Sequence, residues 1–458
     1  MKKHFSKKQK RTLRLYRSIS VGLIVLCMAV GTLTGILFFA RPAASQIENR
    51  TLASFPAFSL GSFLDGSWFG QIALWYSDTY PGRDTLLKVQ HHFDQLKGIQ
   101  SNEMVIGVGQ ADTIGKTSSN SSTASKAANK DGTHNSAQPQ HDTRTEIPDA
   151  HALAEDIQGQ IMEGLLVRDG AVYGGYYFVE DSYNTYTQAL ERAAKELEGI
   201  TDVYSILVPN NSGVLLDQET LNKLGGSDQK QAIDYYYTNY SDLIHSVGTI
   251  DILREHSNEY LYYRTDHHWT PLGAYYVYEN FCKAKGIEPV DRSTLEQVHF
   301  EPFYGSYASQ LPGVNLNADQ FDGWIPKDTN TMKVFTDEEA NPGSDQYYEH
   351  AIVSPDPNID EFNQYMRLIA GDQPFEVIDN PNIQDGSSCL VIKESYGNAF
   401  VPWLVNNYDK VYVMDFRYSE VPIVTWCKEH EIEDLILINN MQLAASTSVA
   451  DRYDALLH

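Results

Sequence analysis

The chain has 458 residues, 42% of them hydrophobic and 12% aromatic, which is enough apolar material for a sizeable core and rules out a wholly disordered chain. Its formal net charge is −25. Residues 1–46 hold nine Lys and Arg and no acidic side chain, so the remainder is more acidic still. That excludes nucleic acid as a partner of the main body, because binding a polyanion needs a cationic surface. Cys27, Cys282, Cys389 and Cys427 stand in no metal-ligand spacing, so neither a thiolate metal centre nor a disulfide-stapled fold is expected.

Val21 to Ala40 is a run of 20 uncharged, mostly apolar residues, the length an α-helix needs to cross roughly 30 Å of hydrocarbon. Eight Lys and Arg precede it and only Arg41 follows closely. The positive-inside rule therefore predicts a cytoplasmic basic tail over 1–20 and a retained single anchor over 21–40. The main domain then lies outside the cell membrane, and a cleaved signal peptide is the rival.

Residues 41–112 read as a membrane-proximal part, helical over 59–98. Residues 113–146 are rich in Ser, Thr, Asn, Ala and Lys and almost devoid of large apolar side chains, which predicts a disordered insertion. From 147 to 458 the pattern is α/β. A helix is predicted at Tyr183–Leu197 and a strand at Val203–Val208, running into Pro209-Asn210-Asn211. A helix near Gln229–Ser246 and a strand near Thr249–Leu253 follow. Three apolar runs, Cys389–Lys393, Val411–Phe416 and Leu435–Ile438, then alternate with helices at Asn398–Asn407 and Ser419–His430, the second opened by a Ser cap. This β-α-β-α-β alternation predicts a doubly wound parallel sheet with ligands beyond the carboxyl ends of its strands. Glu394-Ser395, Arg417 and Asn439-Asn440 stand there. Residues 298–372, rich in Asp, Asn, Gly and Pro, read as a long, partly irregular insertion near the site.

The densest polar cluster is Tyr262 to Pro271. Thr270 as N-cap and Pro271 at the first position open a helix to about Lys285, ended by Gly286. Asp266 and His268 fall in the loop before it. In an extended segment residues i and i+2 point the same way, so the carboxylate can accept from the imidazole and prepare it as a general base. A structural cap or a metal site fits the same letters. Ser395 sits two residues past an apolar strand, on a tight strand-to-helix turn with Gly397 available for unusual dihedrals. A serine there is presented at the top of the sheet, with backbone N–H groups of the following turn as oxyanion donors; an ordinary turn serine is the alternative. Asn210 or Asn211 is a further oxyanion candidate. Ser306 is a rival nucleophile. Asp356, Asp360 and Glu361 lack the spacing of a calcium loop and read as a solvated acidic face.

Thr265-Asp266-His267-His268-Trp269, followed far downstream by Lys393-Glu394-Ser395-Tyr396-Gly397, resembles the DHHW proteins of Gram-positive bacteria. These look like relatives of the AlgX/AlgJ-type alginate O-acetyltransferases, with their SGNH hydrolase-like domain. Glu48-Asn49-Arg50-x-Leu52-Ala53 with Phe55-Pro56, and Asp78-x-Tyr80-Pro81-x-Arg83, are similar to the family's opening segments, so the likeness spans roughly residues 47–440. The resemblance implies an SGNH hydrolase-like sheet, with Ser395 as nucleophile, His268 as base and Asp266 as its orienter. Arg417 looks like the family's substrate-binding arginine. Tyr396 and Asn210 are further candidate substrate contacts, and no cofactor is expected. The resemblance also implies a cell-envelope glycan acceptor and a membrane-bound O-acyltransferase as acyl donor. Glu394 stands where an Asp is common, which puts the geometry of the serine turn in question.

The reading that follows is an extracytoplasmic O-acetyltransferase or esterase working through an acyl-Ser395. Its competitor is a non-catalytic glycan-binding scaffold, with Trp68, Trp75, Trp269, Trp324 and Trp403 stacking on sugars. A metal-dependent phosphoesterase shares only the letters Asp266-His267-His268.

Overall fold

The computed structural model describes residues 164–311, 313–336 and 345–458, with shorter stretches before them between residues 41 and 162. The anchor expected over 21–40 and nearly all of the insertion expected over 113–146 lie outside the described residues. Among the described residues no helix is long and apolar enough to cross a membrane. The chain divides into two units, residues 1–96 and 97–458.

In the first unit a helix, Ser67–Asp78, falls within the stretch expected to be helical. The Arg41 guanidinium lies 4.1 Å from the Trp75 ring centroid, and Arg41 donates to the Thr79 hydroxyl at 3.0 Å. The first described strand of the second unit is Glu103–Ile106, beyond the stretch 59–98 expected to be helical. It pairs antiparallel with Leu165–Arg168, which pairs in turn with Ala171–Tyr173.

Eight strands build the large sheet: β1 Asp202–Val208, β2 Ile244–Ser246, β3 Thr331–Phe335, β4 Tyr348–Ala351, β5 Phe375–Asp379, β6 Ser388–Lys393, β7 Lys410–Asp415 and β8 Asp434–Asn440. Their order is β4-β3-β5-β7-β6-β8-β1-β2. From β7 to β2 every pairing is parallel, and β5, β3 and β4 extend the β7 edge antiparallel. Every residue of β6 and of β8 is buried. That is why these strands read as unbroken apolar runs rather than alternating ones. The chain reverses its direction of travel across the sheet at β6, passing first to β7 and then back to β8. This is the switch point beside which α/β sheets bind ligands.

Helix α1, Glu180–Glu196, and helix α2, Pro271–Lys285, agree with the sequence reading, including the Thr270 cap on the Gly273 N–H and the left-handed Gly286 that ends α2. Helix α3 is Gly397–Leu404 and helix α4 is Ile423–Glu429.

Four expectations need correcting. Residues 250–255 form a helix, because Ile250 and Leu253 bury at a spacing of three, while the strand lies earlier, at β2. Helix α4 starts at Ile423 rather than at Ser419. Val421 precedes Pro422 and is steered away from helical dihedrals, and the Ser419 hydroxyl instead accepts from the Val421 N–H. Residues 298–372 are no mere insertion, since they supply β3 and β4 and most of an antiparallel ribbon, Glu296–Phe303 with Asp319–Ile325. Trp269, Trp324 and Trp403 are buried core side chains, at 0%, 8% and 2% exposure, and offer no face to a sugar.

Candidate active site

The loop before α2 folds back on itself through a bridge between Tyr262 and Trp269, with the Tyr263 N–H bonded to the His268 carbonyl. It is bent rather than extended. What joins Asp266 to His268 is an Asx turn, in which the Asp266 carboxylate accepts from the His268 backbone N–H at 2.9 Å and meets the ring Nδ1 at 2.5 Å. A carboxylate only accepts, so it selects the tautomer with hydrogen on Nδ1 and leaves Nε2 as an acceptor. Nε2 faces the Ser395 hydroxyl at 2.7 Å. Asp266, His268 and Ser395 therefore form one hydrogen-bonded chain, and all three are nearly buried.

The loop is held from below by a residue that sequence reading passed over. Asp319 accepts from the Arg264 N–H at 2.8 Å, the Thr265 N–H at 2.7 Å and the Thr265 hydroxyl at 2.6 Å, and Tyr260 donates to it as well. Gly305 packs directly on Asp266, where a Cβ would come within 2.2 Å of the carboxylate. The neighbouring Ser306 N–H donates to Asp266 Oδ2 at 2.8 Å. Burial alone would raise the Asp266 pKa. The two histidines, the hydrogen bond from His268 and the Ser306 N–H overcome that and hold it well below the usual carboxylate range.

Ser395 stands just past the end of β6, on the turn into α3. Gly397 serves this turn by its size, because a Cβ there would lie 2.4 Å from Lys393 Cβ. Its φ is not in the left-handed region, so the unusual dihedrals expected of it are not what the turn uses. Glu394 completes the turn by accepting from the Tyr396 N–H at 3.1 Å and the Asn440 N–H at 2.9 Å, with the Ser395 hydroxyl at 3.1 Å. The longer glutamate thus spans from the turn to the end of β8.

The backbone donors expected from the following turn are already engaged. The N–H groups of Tyr396, Gly397, Asn398 and Ala399 donate to Glu394 Oε2, Glu394 O, Ser395 O and Tyr396 O. Among the described residues the N–H of Ser395 itself has no partner, which leaves it as the backbone donor beside a charge forming at its own side chain.

Arg417, just past β7, is held by Asp415 through Nε at 2.8 Å and Nη2 at 2.5 Å, and by Asp372 at 3.0 Å. Lys393 joins the same cluster, 3.1 Å from Asp415 and 3.4 Å from Asp372. The Tyr396 hydroxyl donates to the His267 carbonyl at 2.6 Å, so this side chain braces the loop rather than facing outward. Asn210 is turned to the interior. Its Oδ1 accepts from Ser212 and Gln229, and its Nδ2 donates to Gly175 O at 2.9 Å. Asn211 is likewise spent on the backbone of Val172 and Gly174.

Ser306 Oγ lies 2.7 Å from His267 Nδ1. Burial, then the neighbouring His268, push the His267 pKa down to about 3, so this imidazole is neutral at ordinary pH. Asp266, His267 and His268 are also close enough to share a metal ion, with one ligand atom each within 4.8 Å of the others. Asp266 Oδ1 and His268 Nδ1 are hydrogen-bonded to each other, however, and His268 Nε2 is committed to Ser395. The three described cysteines are free and buried, away from any such role.

Comparison with known proteins bears on the fold and the family. A DHHW family protein from Eubacterium siraeum superimposes with a TM-score of 0.56 at 26% identity, over 64% of this chain and 95% of that chain. Bacillus cereus PatB1 carrying a sulfonyl adduct superimposes with a TM-score of 0.51 at 17% identity, over 62% of this chain and 97% of that chain, which shows a shared fold. The O-acetyltransferase domain of Pseudomonas putida AlgJ aligns more loosely, with a TM-score of 0.33 at 11% identity over 61% of this chain and 90% of that chain. No curated protein matches the chain. The DHHW protein family profile matches residues 48–414, a span that contains the Asp266-His267-His268-Trp269 loop and the Ser395 turn that faces it, and the chain belongs to that family.

Proposed function

We propose that this protein is a membrane-anchored, extracytoplasmic O-acyltransferase that moves an acetyl group onto a hydroxyl of a cell-envelope polysaccharide through an acyl-Ser395. The observation that carries the reading is the 2.7 Å contact between His268 Nε2 and Ser395 Oγ, with Asp266 on the far side of the ring. The chemistry follows from it. His268 takes the serine proton as Oγ attacks the carbonyl carbon of the donor ester, Asp266 balances the imidazolium, and the Ser395 N–H faces the developing oxyanion. The tetrahedral intermediate collapses, the His268 proton leaves with the departing alkoxide, and acyl-Ser395 remains. An acceptor hydroxyl then gives its proton to His268, attacks the acyl carbon and returns Ser395 as the free alcohol. Water in place of the sugar makes the same site an esterase.

Support for an acyltransferase comes from membership of the DHHW family and from the fold shared with PatB1, which was solved with a sulfonyl adduct. Anchoring by residues 21–40, a membrane-bound acyl donor, the glycan acceptor, and Arg417 as its contact belong to the same proposal.

The test is to incubate the full-length chain in detergent with 4-nitrophenyl acetate, and separately with an aryl sulfonyl fluoride, and to map the modified residue by mass spectrometry. Turnover with labelling at Ser395 is expected, unchanged by chelators. Labelling at Ser306 would move the nucleophile. A folded chain with neither labelling nor turnover would favour the glycan-binding scaffold. Turnover lost to a chelator and restored by a metal would favour a metallohydrolase. Adding oligosaccharide acceptors and following acetylated sugar separates transfer from hydrolysis.

A further inference from the structure

Tyr365 lies in the stretch between β4 and β5, in a region without a recognisable motif. Its ring lies flat against the His268 imidazole, with centroids 3.8 Å apart and planes 8° apart. Its hydroxyl donates to the backbone carbonyl of Ser395 at 2.8 Å. One side chain therefore touches both the proposed base and the residue that carries the nucleophile, and those two come from distant parts of the chain.

The segment holding Tyr365 is fixed on both sides. Arg367 is fully buried and stacked 3.3 Å from the Phe300 ring centroid; it donates to Ser354 O at 3.0 Å, Asp356 O at 2.7 Å and Gln364 Oε1 at 2.6 Å. Beyond it Ile369, Ala370 and Gly371 are consecutive left-handed residues, with φ of 42°, 55° and 81°. A β-branched residue keeps such a conformation only where its surroundings impose it. The strained turn delivers Asp372 to Arg417, Lys393 and Asn398, so the segment ends tied to the cation cluster beside the serine.

The imidazole has two in-plane restraints, Asp266 at Nδ1 and the Ser395 hydroxyl at Nε2. Acylation converts Ser395 Oγ into an ester oxygen and removes the hydrogen that bridges it to Nε2. From then until the acceptor hydroxyl arrives, Asp266 alone holds the ring by an in-plane hydrogen bond, and resistance to tipping falls to the rings packed against it: the His267 ring at 3.7 Å, tilted by 38°, and the Tyr365 ring, which alone of the two lies parallel to the imidazole face. On the reading that Ser395 is acylated, we infer that Tyr365 is a positioning residue, whose stacked ring keeps His268 aligned with the acyl-serine during the second half of the reaction.

The test compares the full-length wild type with Tyr365→Phe, Tyr365→Leu and Tyr365→Met on an activated acetyl ester. It follows steady-state rates and the fraction of Ser395 found acetylated by mass spectrometry during turnover. Tyr365→Phe keeps the ring and loses one hydrogen bond, so kcat stays within about tenfold of wild type and no acyl-enzyme builds up. Tyr365→Leu and Tyr365→Met lose the planar face. They are expected to lower kcat on the order of 100-fold with KM unchanged or lower, and to accumulate acetyl-Ser395, because misalignment of the base slows deacylation more than acylation.

A variant that is only partly folded loses acylation and deacylation together and builds up no acyl-enzyme. Leu and Met variants that both behave this way, or that match wild type, would overturn the inference while leaving the serine mechanism standing. A wild-type chain that neither labels at Ser395 nor turns over would overturn the mechanism and the inference with it.

Discussion

His268 Nε2 and Ser395 Oγ meet at 2.7 Å across 127 residues of chain, one from the loop before α2 and the other from the turn after β6. Groups that share one proton act as a unit. Ser395→Ala and His268→Ala are each expected to lower kcat by at least ~10³-fold, and the double variant to lose little more than either alone. Steady-state assays of the three variants on an acetyl ester check this; losses that simply multiply would argue against a shared mechanism.

Asp266 and Asp319 act on the same loop by different routes. Asp266→Asn keeps the geometry but offers a donor where the imidazole needs an acceptor, and a fall of roughly 10³–10⁴-fold in kcat is expected. Asp319→Asn touches no reacting group. It weakens the hold on the Arg264 and Thr265 N–H groups and the Thr265 hydroxyl, so a loss of about 10–100-fold is expected. Labelling of Ser395 by a sulfonyl fluoride separates the two, since the nucleophile should react far more slowly in the first variant than in the second.

His267 makes stability depend on pH in a stated direction. Burial and His268 lower its folded pKa to about 3, against an ordinary value near 6.5 in the unfolded chain. Between those values the unfolded chain binds the extra proton, so this group's contribution is intact above about pH 6.5 and is lost as the pH falls toward 3. Urea midpoints measured from pH 7 to pH 4 are expected to fall less steeply in His267→Gln than in wild type. Parallel curves would sink the assignment.

Glu376 on β5 is fully buried, and among the described residues neither of its carboxyl oxygens has a hydrogen-bond partner. Burial raises its pKa well above the ordinary carboxyl value, although Lys393 pulls the other way. The folded chain then holds a proton that the unfolded chain releases, so this group lowers stability as the pH climbs above about 4.5. Glu376→Met removes two unsatisfied atoms at similar volume, and a gain of about 1–3 kcal/mol near pH 7 is expected, shrinking toward pH 4. Melting curves of both proteins at the two pH values check it; a loss of stability at pH 7 would mean that the carboxyl is ionised and serves Lys393.

The elements legible in the sequence were those whose signal is local. Thr270-Pro271 and Gly286 bound α2 because capping and φ preference act over a few residues, and β6, β7 and β8 stood out because a strand buried on both faces is apolar throughout. The same locality made Asp266, His268 and Ser395 identifiable as candidates, since a motif carries its own spacing. It misled where neighbours overrode it, as at residues 250–255, where three-residue spacing of buried side chains made a helix of an apolar run, and at Asn210, whose amide is consumed by Ser212, Gln229 and Gly175.

What the tertiary structure alone decided is which groups share a proton and which face is covered. Tyr365, Asp319 and Asp372 lie in polar or irregular sequence without periodicity, and their roles come from partners brought together across the fold: the ring of His268, the N–H groups of Arg264 and Thr265, and the guanidinium of Arg417. The Ser395 N–H stands apart as a donor only because Glu394 and the α3 turn engage the N–H groups that follow it. Hydrogen bonds are directional and short, so the chain order announces a serine and a histidine, and only the packed sheet determines that they meet.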